Sequence, residues 1–343
     1  MKLVVFEVKP HEASAFKALE TENEILLIEE PLCAANASKF SDAEIASTFF
    51  ESELDRHVLE KLPALRLIAT RSTGFDHIDM AYCLERGIVV SNVSTYGGNT
   101  VAEHVFALLL MISHRMREAI ECARNGDFSP LGLQGFDLQG KTLGVLGVGN
   151  IGRHVIRIAQ GFEMNVVACD LRPDEDLAKK LGFRYASFED TLSAADVLTL
   201  HMPAAKGTNS LLSHSEFARM KDGVVLINTA RGSLIDVQAL IEALRRGKVA
   251  AAGLDVLPDE PLIREEAELI CSAAFNQRDL RNLVADHALL RMPNVVVTPH
   301  SAFNSREAIG RIVNTTIKNI RAFVDGQPQN VVTAMPRPSP KPT

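Results

Sequence analysis

Along most of this chain, short unbroken apolar runs alternate with segments of helical periodicity. "KLVVFEV" at Lys2–Val8, "EILLIE" from Glu24, "LRLIATRSTG" from Leu65 and "GIVVSNV" from Gly87 read as strands. "LDRHVLEKL" between them reads as an amphipathic helix. The second half repeats the alternation more regularly, with strands expected to start near Thr142, Asn165, Ala195, Gly223, Val249 and Asn294. Strands that alternate with helices in this way predict parallel sheets covered by helices.

Two longer helical patterns stand apart. Gly98–Phe128 reads as one long helix, started by Asn99 or Thr100 with Glu103 in its first turn. Much of it is apolar, so it must bury more than one face, as a domain connector, a dimer contact or both. A last helix is expected from Arg306 to Gly326. The proline-rich "PRPSPKPT" that ends the sequence has the composition of a disordered tail. There is no internal repeat.

A chain of 343 residues has room for two domains at roughly 150 residues each. With 36 basic and 43 acidic side chains the net charge is −7, which argues against nucleic acid and against anionic membranes as partners. The 5 cysteines are scattered and form no CxxC pair, so neither a disulfide framework nor a zinc ribbon is expected. The longest apolar stretch, Val105–Ile112, is far short of a membrane span, and "MKLVVFEV" is too short for a signal core. The expected location is the cytoplasm.

Candidate chemistry begins at "KTLGVLGVGNIGRHVIRIAQGF". Gly147, Gly149 and Gly152 form G-x-G-x-x-G between an expected strand and an expected helix. The first glycine makes the turn, the second lets backbone approach a pyrophosphate, and the third lets the helix pack on the strand. The helix N-terminus then offers N–H groups to the phosphates. Asp170 ends the next strand 18 residues beyond Gly152, where an acid binds the adenosine ribose hydroxyls and repels a 2′-phosphate. NAD is therefore expected over NADP.

Four later strand ends bring polar groups to one rim. They carry His201, Met202, Pro203 and Thr208, then Thr229, Ala230 and Arg231, then Asp255, then His300. Hydride transfer to a carbonyl needs a proton donor, a group that polarises the C=O, and a clamp for the rest of the substrate. Histidine suits the first role near neutral pH, and a planar arginine suits the other two. A carboxylate beside the histidine would fix its tautomer. His300, Arg231 and Glu260 make a coherent set. The 10 histidines include no HExxH and no close cluster, so no metal is expected.

"RSTGFDHIDM", "SNVSTYGGNTVAEH", "GVGNIG", "INTARGSLID", "AAGLDVLPDEP" and "VVVTPHSAF", in this order, resemble the D-isomer-specific 2-hydroxyacid dehydrogenase family, closest to its D-lactate dehydrogenase-like branch. The resemblance implies His300 as acid and base, Glu260 as its carboxylate partner, and Arg231 as substrate clamp and carbonyl polariser. It implies backbone N–H groups of Ser72, Thr73 and Gly74 on the substrate carboxylate. Asn150 and Ile151 would lie against the pyrophosphate, and Asp255 would contact the nicotinamide carboxamide. It also implies two doubly wound domains with an interdomain cleft. Residues 1–98 and 305–343 would form a flavodoxin-like substrate domain, and residues 99–304 an inserted Rossmann NAD domain. The helix from Gly98 would serve a homodimer.

Tyr96 and Phe303 resemble pocket residues of the lactate-type branch, where they shape a small site for the 2-keto acid side chain. The expected reaction is reversible NAD-dependent hydride transfer between a small 2-keto acid and its D-2-hydroxy acid, with pyruvate and D-lactate the first choice. Glyoxylate, hydroxypyruvate or a bulkier 2-keto acid is the alternative substrate. A non-enzymatic NAD(H)-sensing protein of the same fold is the alternative of another class.

Overall fold

A computed structural model describes residues 1–20, 24–204, 208–258 and 277–333, the side chains of 277–283 excepted. The chain forms two compact units, one of Met1–Tyr96 with the segment from Asn304, the other of Gly97–Phe303.

The first unit carries five parallel strands: β1 (Lys2–Val5), β2 (Glu24–Leu27), β3 (Ile45–Thr48), β4 (Leu67–Thr70) and β5 (Val89–Ser91). Their order, β2-β1-β3-β4-β5, is that of a flavodoxin-like doubly wound sheet. Helices α1 (Pro10–Phe16), α2 (Arg56–Leu59) and α3 (Met80–Arg86) connect them. Successive strand residues point to opposite faces. Val4 and Ile68 therefore enter one core with Leu59 and Tyr82, while Leu3, Val5 and Leu67 enter the other. Each fully buried aliphatic side chain contributes about 1.5–3 kcal/mol relative to exposure.

The second unit opens with α4 (Gly98–Ser113) and α5 (Met116–Arg124). It continues β6 (Thr142–Leu146), α6 (Asn150–Gly161), β7 (Asn165–Cys169), α7 (Glu175–Leu181), β8 (Arg184–Tyr185), α8 (Phe188–Ala194) and β9 (Val197–Leu200). Then come α9 (His214–Arg219), β10 (Val224–Asn228), α10 (Val237–Arg245), β11 (Val249–Leu254), α11 (Gln277–Arg291) and β12 (Val295–Val297). The seven parallel strands run β12-β11-β10-β9-β6-β7-β8, the Rossmann order extended by one strand. The last helix, α12 (Arg306–Val324), returns to the first unit and packs Val313, Ile317 and Ile320 against Leu3, Val5 and Leu67.

The structure corrects three sequence expectations. Gly98–Phe128 is not one helix. The Ser113 carbonyl accepts the Phe136 N–H at 2.9 Å instead of continuing the helical ladder, and Arg115 turns at φ 50°. The first strand ends at Val5, because Glu7 turns at φ 55° and buries its carboxylate against the Phe49, Glu51 and Ser52 N–H groups. Strands β3 and β8 were not expected. β3 hides Ser47 and Thr48 at 0% exposure, so its sequence lacks an apolar run. No described helix is long and apolar enough to cross a membrane.

Candidate active site

The glycine turn lies where the Rossmann sheet changes direction, between β6 and β9. His201 N–H donates to the Leu146 carbonyl across these strands at 2.7 Å. Gly147 turns at φ 98°, and a Cβ there would meet the His201 carbonyl oxygen at 2.7 Å. A Cβ on Gly152 would lie 2.1 Å from the Gly147 oxygen, so α6 reaches the turn only because that residue is glycine. Gly149 differs: a Cβ there would meet nothing within 4 Å. Its backbone borders open space at the N-terminus of α6, beside Asn150, with Ile151 half-buried behind. An exposed glycine backbone at a helix N-terminus suits a pyrophosphate.

Asp170 follows β7. Its Oδ2 accepts the Val148 N–H at 2.7 Å, and its Oδ1 accepts the Arg172 N–H at 2.8 Å. The carboxylate thus braces the glycine turn and still has lone pairs for ribose hydroxyls. The four expected strand ends are β9, β10, β11 and β12, consecutive in the sheet. Ligands in open α/β sheets bind at this carboxyl edge.

After β9, the His201 Nε2 lies 2.9 Å from Thr199 Oγ1, and burial pushes the imidazole pKa down to about 3. Met202 packs against the core, Pro203 is exposed, and Thr208 begins the turn that leads to Leu211. After β10, the fully buried Asn228 clamps the turn: its amide donates to the Arg231 carbonyl at 2.9 Å and accepts the Ala230 N–H at 3.0 Å. Arg231 is half-buried, and its Nη1 donates to the Ala230 carbonyl at 2.7 Å. The Thr229 hydroxyl is buried with no hydrogen-bond partner among the described residues. An orphaned hydroxyl at the carboxyl edge of the sheet is a group that a bound dinucleotide can satisfy. Gly232 lies so near Leu257 that a Cβ would fall 2.1 Å from its carbonyl carbon. Glu260 lies outside the described residues.

Asp255 follows β11 and is 1% exposed. Its Oδ1 accepts from Thr298 Oγ1 at 2.5 Å and from the Ser301 N–H at 2.9 Å, and its Oδ2 accepts the Ala302 N–H at 2.9 Å. Burial alone would raise its pKa. Hydrogen bonds from His104, Thr298, Ala302 and Ser301 outweigh burial and hold it below the usual carboxylate value. His300 follows β12 and sits at φ 51°, a left-handed backbone uncommon outside glycine. Its N–H donates to the Asp255 carbonyl at 2.9 Å. Phe303 is half-buried just beyond.

In the first unit, the turn after β4 carries Ser72, Thr73 and Gly74. The Ser72 hydroxyl donates to the Gly74 carbonyl at 2.5 Å, Asn92 Nδ2 to the Thr73 carbonyl at 2.8 Å, and the Val93 N–H to the Ser72 carbonyl at 3.0 Å. The carbonyls are satisfied, while the three backbone N–H groups donate to nothing among the described residues. Arg71, just before them, is fully buried; its Nη2 donates to the Phe6 and Glu7 carbonyls at 2.7 and 2.9 Å. Tyr96 is half-buried, and its carbonyl accepts Arg311 Nε at 2.5 Å.

Sequence reasoning missed His104, Thr298 and Arg71. Thr298 had a signal, since it sits at the strand end just ahead of a candidate residue. Among the described residues no group of three or more His, Cys, Asp or Glu side chains could hold a metal ion.

Residues 106–302 match the family described as D-isomer specific 2-hydroxyacid dehydrogenase, NAD binding domain. The chain belongs to the D-isomer-specific 2-hydroxyacid dehydrogenases and is an NAD-dependent oxidoreductase of that family. It is 38% identical over 287 residues to a 2-hydroxyacid dehydrogenase homolog of Haemophilus influenzae, covering 83% of this chain and 84% of that protein. A glyoxylate reductase of Thermococcus litoralis is 32% identical, with 97% of each chain covered. Among solved structures, a D-lactate dehydrogenase from Aquifex aeolicus complexed with NAD and lactic acid superposes with a TM-score of 0.88. The two chains are 32% identical, over 98% of this chain and 100% of that one.

Proposed function

We propose that this dehydrogenase reduces a small 2-keto acid to its D-2-hydroxy acid, pyruvate to D-lactate being the first choice. The observation that carries the proposal is the meeting of three consecutive strand ends, those of β10, β11 and β12. The β11 turn, through Asp255, pins His300 in a left-handed backbone, while Asn228 clamps the turn that presents Arg231. Strained backbone at a polar strand end is a mark of a reacting site.

In this reading the protonated His300 gives its proton to the carbonyl oxygen, and in the reverse direction its neutral ring takes the hydroxyl proton. Arg231 holds the carboxylate and polarises the C=O with one planar guanidinium. Glu260 orients the imidazole. The backbone N–H groups of the Ser72–Gly74 turn serve a carboxylate, and Tyr96 and Phe303 limit the side chain. The dinucleotide, held by Gly147, Gly149, Gly152 and Asp170, supplies the hydride. Asn150, Ile151, His201, Met202, Pro203, Thr208, Thr229 and Ala230 complete its binding surface, with Asp255 at the carboxamide.

The likeness to the Aquifex aeolicus lactate enzyme over nearly the whole chain supports pyruvate. The likeness to a glyoxylate reductase at 97% coverage supports glyoxylate as the second reading. The test is oxidation of NADH, with NADPH alongside, against pyruvate, glyoxylate, hydroxypyruvate, phenylpyruvate and 2-ketoisocaproate. The expected order of kcat/KM puts pyruvate first and NADH above NADPH. A preference for glyoxylate moves the assignment to the second reading. No oxidation with any acid, despite NADH binding, contradicts both.

We also propose a homodimer through the region of α5. No residue of this amphipathic helix is buried, and Met116 and Ile120 are each 44% exposed. Phe128 and Leu131, shortly after it, are 85% and 88% exposed. Apolar side chains clustered along one exposed stretch are characteristic of an association surface.

A further inference from the structure

We propose that His104, on α4, is a positioning residue for His300 and acts through Thr298 and Asp255. The inference rests on the assignment of His300 as the proton-transferring residue.

The four groups form one hydrogen-bonded chain. The Thr298 hydroxyl donates to Asp255 Oδ1 at 2.5 Å. Its proton is thereby committed, and only its lone pairs remain for the His104 Nε2 at 3.0 Å. That nitrogen must therefore carry a proton and donate. The same Nε2 lies 3.4 Å from Asp255 Oδ1, so the imidazole leans on hydroxyl and carboxylate together. Asp255 in turn shapes the His300 turn at three points. Its carboxylate accepts the Ser301 and Ala302 N–H groups, and its carbonyl accepts the His300 N–H.

Energetics make this arrangement sensitive to His104. Asp255 is a charge at 1% exposure, and a buried carboxylate is costly unless donors surround it. Among the described residues, all its donors but one belong to the 298–302 turn itself. His104 is the donor that comes from outside that turn, on a helix packed into the same unit. Without it the carboxylate loses a donor, the Thr298 oxygen loses one too, and the left-handed turn at His300 loses its brace. A proton donor displaced by a fraction of an ångström costs rate more than it costs stability.

The test compares His104→Phe, which keeps an aromatic ring without a donor, with His104→Gln, which keeps an N–H in reach. Amide hydrogen exchange of residues 298–302 is measured first, on the protein without substrate. His104→Phe is expected to speed exchange at Ser301 and Ala302 by about tenfold or more, and His104→Gln to restore most of the protection. In steady-state reduction of the best 2-keto acid, His104→Phe should lower kcat by about 10- to 100-fold, with KM changed by less than about threefold. The deuterium isotope effect with NADD should rise as the chemical step becomes slower. His104→Gln should recover most of kcat. If His104→Phe does not fold, Thr298→Val removes the middle link and is expected to show the same exchange and kcat pattern.

Unchanged exchange in the turn, or unchanged kcat, overturns the proposal. A fall in kcat matched by lower Tm and no rescue by glutamine also overturns it, because that is a general structural loss. If the wild-type protein reduces no 2-keto acid, the functional reading fails, and the exchange measurement alone then decides whether His104 braces the turn.

Discussion

Thr229 and His201 each hold an energetic peculiarity that a substitution can read out. The Thr229 hydroxyl is buried without a partner among the described residues, so the folded protein gains nothing from it. Thr229→Val should leave Tm unchanged or raised, because it removes an uncompensated polar group at nearly constant volume. It should weaken NADH by about fivefold, the worth of one hydrogen bond of about 1 kcal/mol. Fluorescence titration and thermal melting together check this. His201 predicts an acid effect. Its pKa in the fold is about 3, well below the unfolded value near 6.5. Below about pH 6.5 the unfolded chain takes up a proton that the folded chain refuses, so stability falls as pH drops toward about 3 and then levels off. With allowance for partial exposure, the loss at pH 5 is about 1 kcal/mol, and His201→Asn should flatten that limb in urea titrations from pH 7 to 4.

At the scale of elements, the α6 turn depends on one missing methyl group. Gly152→Ala puts a Cβ 2.1 Å from the Gly147 oxygen, so backbone must move. A stability loss of about 2 kcal/mol or more is expected, together with weaker NADH binding, read by urea unfolding and titration. Gly152 was legible in the sequence because the motif, strand and helix all lay in register. Strand ends were legible for a similar reason: buried parallel strands read as apolar runs, and the polar group after each run stands out, as Arg231 does after "VVLI". β3 was not legible, since Ser47 and Thr48 are fully buried and the Ser47 hydroxyl bonds the Ala69 carbonyl across the sheet. The break between α4 and α5 was hidden too. It depends on Phe136 reaching the Ser113 carbonyl from 23 residues away, a tertiary contact that periodicity does not carry. His104 looked like an ordinary histidine on an apolar helix, because its meaning comes from Thr298, 194 residues distant.

For the molecule as a whole, association is the property most open to test. Sedimentation should give a dimer, and Ile120→Glu should shift it toward monomer with the far-UV circular dichroism unchanged. A wild-type monomer at micromolar concentration would contradict the α5 assignment. Catalysis is the central claim, and it rests on one proton donor. The most direct measurement is turnover of His300→Gln, with NADH affinity measured on the same preparation. Glutamine keeps a polar side chain of similar reach but cannot shuttle the proton. The account predicts that kcat for 2-keto acid reduction falls by about 10²- to 10⁴-fold while the NADH Kd stays within about twofold. Turnover close to wild type in that variant would contradict it.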